Sequence, residues 1–140
     1  MAIDSSLIGK SSSPQTFEVT REAVERFMQA TEDPALQQEG EVDFAPPTFP
    51  TTFRVRVPDV EIDPTRMQLL HGEQEYSYTR RLRIGETVTC VSRIVDVRER
   101  SGKSGSMTFL VTELVGTDSK QQPVFSARST AIIRTSDPTG

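Results

Sequence analysis

The chain contains a single histidine, His71, and a single cysteine, Cys90. Imidazole has the side-chain pKa nearest neutrality, so His71 is the first candidate for moving a proton. On a strand, Glu73 would share its face two residues on, and the two would form a base–carboxylate pair. The plainer reading makes His71-Gly72 a strand entry whose ring packs or hydrogen-bonds near a subunit seam. Asp33, with Glu32 beside it, reads as a helix-ending turn residue before Pro34. Thr48, following Pro46 and Pro47, can open a helix whose first amides face an anion, or simply cap that helix. Arg80, Arg81 and Arg83 could meet a phosphate group, although cations also commonly protect an exposed sheet edge. Cys90 reads as inert core. The run Ser101-Gly102-Lys103-Ser104-Gly105 lacks phosphate-loop spacing and reads as a hairpin loop. One histidine and one cysteine leave no paired metal motif, so neither a metal nor a cofactor is expected.

The chain that must position these groups has 140 residues, the usual size of one domain. Leu, Ile, Val and Phe make up 34 of them, enough for a lean core. Valine is the commonest of the four, which favours strands. Sixteen basic against twenty acidic residues give a net charge of −4, without the basic surplus of a nucleic-acid binder. No apolar run is long enough to span a membrane. Residues 1–14 lack the basic and apolar regions of a secretory signal, so a cytoplasmic protein is expected.

Residues 1–16 are polar and serine-rich and read as a loosely tied, flexible arm. Thr20 then suits an N-cap, with Glu22 and Glu25 in the first turns, and Val24, Phe27 and Met28 form one apolar stripe. The helix should stop near residues 30–31, ahead of Asp33-Pro34. Phe49 and Phe53, four apart, suggest a short buried helix opening near Thr48. From residue 67 the period changes to two. Tyr76, Tyr78, Leu82 and Ile84 lie on one parity, and Gly85-Glu86 turns the chain into a strand over 87–98. A third strand carries Met107, Phe109, Val111 and Val115, and a fourth runs over 124–134. Short connections predict an antiparallel meander, and helices before strands predict an α+β fold. The domain is expected over 17–134, with 135–140 as a flexible tail.

This order, with Phe17-Glu18-Val19-Thr20-Arg21-Glu22-Ala23-Val24, Ala45-Pro46-Pro47-Thr48-Phe49, Leu70-His71-Gly72-Glu73-Gln74-Glu75-Tyr76 and Leu82-Arg83-Ile84-Gly85-Glu86-Thr87-Val88, resembles the MaoC-like dehydratase N-terminal family, also called FAS1-like dehydratases. The resemblance covers roughly residues 7–134. It implies a hot-dog fold, a curved antiparallel sheet wrapped around a central helix, and work on acyl thioesters of CoA or acyl-carrier protein. Active relatives interconvert (R)-3-hydroxyacyl and enoyl thioesters with an Asp and a His in a G-D-x-N-P-x-H loop. Backbone N–H groups at the start of the central helix bind the thioester oxygen, and the matching segment here is Pro47, Thr48 and Phe49. The matching loop here is Ala30-Thr31-Glu32-Asp33-Pro34-Ala35-Leu36-Gln37, which keeps a carboxylate at Asp33 (or Glu32) to orient a water. Glutamine stands at the histidine position and cannot exchange a proton near neutral pH. The resemblance therefore implies a partner subunit, a homodimer or a heterodimer with a second hot-dog chain, without independent acid–base chemistry. A competent (R)-specific enoyl-CoA hydratase or thioesterase using Asp33 or His71, and an acyl-thioester binding or regulatory module, are the alternatives.

Overall fold

The computed structural model describes residues 3–37, 42–58, 60–103 and 105–135. Most of the expected tail, 136–140, lies outside them. After a 3₁₀ turn at Ser5–Leu7 come strand β1 (Gln15–Glu18), helix α1 (Arg21–Ala30), 3₁₀ turns at Pro34–Gln37 and Phe49–Thr52, and four long strands. These are β2 (Met67–Tyr78), β3 (Thr87–Gly102), β4 (Gly105–Thr117) and β5 (Pro123–Thr135). All pair antiparallel in one curved sheet of order β1-β3-β4-β5-β2.

Helix α1 forms where its caps and stripe predict. The Thr20 hydroxyl accepts the Ala23 N–H at 3.1 Å, and Val24 and Met28 are fully buried. The helix ends as Glu32 turns left-handed (φ 55°), with the Asp33 N–H donating to Met28 O at 2.9 Å. Pro34 then blocks continuation. No α-helix opens at Thr48. Phe49–Thr52 is one 3₁₀ turn, and Thr48 makes no side-chain cap bond. Pro50, Thr51 and Thr52 explain this, because a proline and two β-branched residues disfavour a longer helix. The aromatic anchors are nonetheless as expected, with Phe49 2% and Phe53 7% exposed.

Four further expectations need correction. The four-strand meander holds only for β3-β4-β5; β2 pairs with β5 at the far edge. The other side of β3 is taken by β1, whose register runs from Gln15 opposite Cys90 to Glu18 opposite Thr87. Strand β2 ends at Tyr78, so Leu82 and Ile84 belong to the connection that returns to β3. Gly85 (φ 98°) turns within it and donates to Val19 O at 2.7 Å, beside β1. On β4 the buried residues are Thr108, Leu110 and Gly116, whose parity is opposite to that of Met107, Phe109 and Val111. The segment expected as a loose arm carries Ile3 and Leu7 into the core, and Ser12 and Ser92 exchange two hydrogen bonds at 2.8 and 3.0 Å.

The core has two clusters. One gathers α1, the 3₁₀ turn at Phe49–Thr52 and Val88, Cys90, Val124, Phe125 and Ala127 of the sheet. The other joins Ile3, Leu7 and Val57 to Ile94, Val97, Leu110 and Ile133. Among the described residues no helix is long and apolar enough to cross a membrane.

Candidate functional site

Between the two clusters the inner face of the sheet turns polar. Thr112 on β4, Ser129 on β5 and Gln74 on β2 lie in one register row, and the Thr112 and Ser129 hydroxyls are 2.9 Å apart. This row forms the floor of a groove of about 610 Å³. Its opposite wall comes from the 3₁₀ turn and the segment after it, with Thr51, Phe53, Arg54, Val55 and Arg56. Leu69, Tyr76, Leu114 and Ala127 complete an apolar lining. A polar row crossing a largely apolar inner face is a local departure from the packing rule, of the kind expected where a ligand is received.

The groove is held open by side chains of β2. The Tyr76 hydroxyl is hydrogen-bonded to the Thr51 hydroxyl, and the Tyr78 hydroxyl donates to Pro47 O at 2.5 Å. Burial, reinforced by the neighbouring Tyr76 phenol, pushes the Tyr78 pKa up to about 12, so it stays a donor at any ordinary pH. The lining contains no carboxylate, imidazole or thiol. The groove can enclose an apolar chain and offer hydroxyls, an amide and two guanidinium groups to its polar head. Within it, nothing is suited to exchanging a proton near neutrality.

The residues singled out from sequence are dispersed. Asp33 accepts the Ala35 N–H at 3.0 Å, the turn-closing role of an Asx residue. It lines a separate hollow with Met28, Gln29, Glu32, Pro34 and Leu36, which shares no lining residue with the groove. The side chain of Gln37 falls outside the described residues. His71 is exposed, and its Nε2 lies 3.2 Å from Gln74 Oε1. The expected pair with Glu73 does not form. The β2–β5 register shifts between His71 and Glu73, so Gly72 is an extra residue and the parity changes there. His71 thus sits one side chain back from the groove, behind Gln74. Pro47, Thr48 and Phe49 are not in the lining: Phe49 is core, and Pro47 presents its carbonyl to Tyr78. The amides expected to receive an oxyanion are few there, since three of residues 46–50 are prolines and the Phe49 N–H donates to Pro46 O at 2.9 Å. Cys90 is buried in the core as expected, and burial pushes its pKa up to about 12. The polar lining residues that sequence reasoning passed over are Thr51, Arg54, Arg56, Gln74, Tyr76, Ser92, Thr112 and Ser129. The alternation over Phe53-Arg54-Val55-Arg56 was the available signal.

Comparison with known proteins fits this geometry. The model of the FAS1-like dehydratase domain region matches residues 6–127. A UPF0336 protein of Thermobifida fusca is 28% identical over 155 aligned residues, spanning 100% of this chain and 99% of the relative. Another, from Streptomyces avermitilis, is 34% identical over 119 residues, 73% of this chain and 78% of the relative. Among solved structures, the C-terminally truncated HadBC (3R-hydroxyacyl-ACP dehydratase) complex of Mycobacterium tuberculosis superposes with a TM-score of 0.68 at 21% identity, over 90% of this chain and 96% of that one. The ChsH1-ChsH2 complex of the same organism gives 0.64 at 15%, over 91% and 85%. A MaoC-like dehydratase of Rhodospirillum rubrum gives 0.58 at 11%, over 94% of each chain. The fold is the hot-dog fold.

Proposed function

This chain belongs to the FAS1-like dehydratase domain family, and on that premise we propose that it is a cytoplasmic subunit that holds acyl thioesters of CoA or acyl-carrier protein and leaves the acid–base chemistry to a partner. One hot-dog domain, with the N-terminal segment packed into its core, does this work. The observation that carries the reading is the composition of the groove. It is roomy and lined by apolar side chains around a polar row, yet none of its lining side chains is a general acid or base of ordinary neutral pKa. Asp33, the one survivor of the family's catalytic pair, has its carboxylate engaged on the Ala35 amide.

A partner subunit is supported by the sheet itself. Strand β2 is an edge strand of twelve residues, and Leu69 and Leu70 on it are 52% and 43% exposed. A long edge with exposed leucines invites pairing with another chain, by a second copy or by another hot-dog subunit. The HadBC structure is itself a complex, described as a 3R-hydroxyacyl-ACP dehydratase. A light-scattering mass near the 15.6 kDa of one chain at micromolar concentration would count against any such pairing.

The test is hydration of crotonyl-CoA. The isolated chain should fall short of a complete hydratase by at least the ~10²–10⁴-fold that a positioned acid or base contributes. Mixing with a hot-dog protein that carries the Asp/His loop should restore turnover. Robust turnover by the isolated chain, lost in Asp33→Asn, would overturn the reading and make this a hydratase in its own right.

A further inference from the structure

Two segments run antiparallel from the groove to a second hollow. Residues 44–51 and 76–83 are joined at one end by the hydroxyls of Thr51 and Tyr76, at the groove wall. Further along, Tyr78 donates to Pro47 O, and the Ala45 N–H donates to Leu82 O at 2.8 Å. At the other end Phe44 and Arg83 form a β-bridge. The bridge lies seven residues from the groove wall on each segment, which at ~3.3 Å per extended residue is a span of at most about 23 Å.

The hollow at that far end measures about 480 Å³ and is lined by Phe44, Arg80, Arg81, Arg83 and Glu86. Its three guanidinium groups are not equivalent. Arg80 is neutralised, with 2.9 and 2.7 Å bonds to the two Glu86 oxygens and a 3.3 Å contact to Asp118. Glu86 is fully engaged as well, because its Oε2 also accepts the Arg83 amide at 2.6 Å. Arg81 and Arg83 instead lie over the Phe44 ring, 4.2 and 5.7 Å from its centroid. Among the described residues neither meets a carboxylate within ion-pair distance. An aromatic face fixes a guanidinium without using its N–H donors, which stay available for a planar, bidentate anion contact. Two such groups side by side on a protein of net charge −4 make a local exception to its overall sign.

We propose that Arg81 and Arg83, steadied by Phe44, bind the phosphate ester of the carrier whose acyl end occupies the groove. The inference rests on the groove being the acyl-thioester site and adds a second point of attachment. A flexible pantetheine arm runs along the ribbon between them. The phosphate joining that arm to its carrier is common to CoA and to acyl-carrier protein, and CoA adds the phosphates of its nucleotide.

Equilibrium binding of butyryl-pantetheine, butyryl-phosphopantetheine, butyryl-CoA and free CoA to the chain and to Arg81→Ala/Arg83→Ala tests this. Arg93→Ala, which removes an exposed cation on β3, serves as the charge control. Adding the phosphate should tighten binding to the unmodified chain and to the control by about tenfold or more. The double variant should lose that gain and bind butyryl-pantetheine as the unmodified chain does. An arginine-dependent step from phosphopantetheine to CoA would assign part of the patch to the nucleotide phosphates, and equal binding would assign it to the arm phosphate. Retention of the gain in the double variant, or no gain in the unmodified chain, overturns the proposal. If butyryl-pantetheine fails to bind while free CoA binds in an arginine-dependent way, the patch stands and the groove reading falls.

Discussion

The two core clusters share one sheet face but are built differently. The first is aromatic and layered: Phe49 meets Phe27 and Phe53 edge-on at 5.6 and 5.5 Å, and Phe53 stacks on Phe17 at 4.8 Å. The second is aliphatic and is covered by the chain's N-terminal segment and the loop around Val57 instead of a helix. Between them lies the polar row Gln74-Ser129-Thr112. A continuous core would have been the more stable choice for so lean a composition. The interruption coincides with the groove, which suggests that stability was traded for a place to receive a ligand.

The aromatic cluster should therefore carry most of the folding free energy. Phe49→Ala, which empties a site 2% exposed and removes two ring contacts, should cost about 3–5 kcal/mol in urea unfolding. Leu7→Ala in the aliphatic cluster should cost about 2 kcal/mol, the low end for a buried leucine, because the covering segment is short and can adjust. Equal losses, or the reverse order, would break the comparison.

Alkaline pH should weaken the aromatic cluster selectively. Burial pushes the Cys90 thiol from 9.0 to about 12, and burial, with the Tyr76 phenol, pushes Tyr78 from 10.0 to about 12. Each keeps its proton in the folded state after the unfolded chain has released it. Stability from this source is fully present below pH 9 and falls as pH rises toward 12. Cys90→Ala should lower stability overall yet flatten its decline above pH 9. An unchanged slope by urea titration would contradict the buried thiol as a contributor.

The sequence made some of this legible and hid the rest for physical reasons. Helix α1 was readable because its cap, its stripe and its terminating Asp33-Pro34 all agree. The Phe49 and Phe53 anchors were readable from spacing, while the helix type was not, since Pro50 and two threonines alter the winding without altering the burial. Strand order was not readable: β1 is four residues long, yet it takes the edge of β3 that a meander would give to β2. On β4 both faces carry apolar residues, so Phe109 and Val111 looked like core when Thr108 and Leu110 are. At the site, one extra residue misled the pairing of His71 with Glu73. A bulge leaves no mark in a period-two pattern beyond a glycine.

The polar row permits a sharper test of the trade. Thr112→Val keeps the shape of the side chain and removes its hydroxyl from Ser129. Ser129 can turn to water in the open groove, so stability should change by no more than about 0.5 kcal/mol, in either direction. Binding of a butyryl thioester should nonetheless weaken several-fold. A variant that is destabilised and still binds would mean that the row serves folding alone.

The smallest expected effect on folding belongs to His71. Its ring is exposed and its one partner, Gln74, is a neighbour on the same strand. Exposed hydrogen bonds of this kind contribute little, so His71→Ala should shift unfolding of the chain by less than about 0.5 kcal/mol. The ring stands at the β2 bulge, however, on the edge where a partner strand would pair, and bulges re-aim side chains at sheet edges. The loss should therefore appear in assembly: sedimentation at decreasing concentration should show the variant dissociating at several-fold higher concentration than the unmodified chain. Glu73→Gln, on the opposite parity and without a bond to the ring, should leave both quantities unchanged. If His71→Ala unfolds far more easily while its oligomeric mass is preserved, His71 is a folding residue, and the seam lies elsewhere on the sheet.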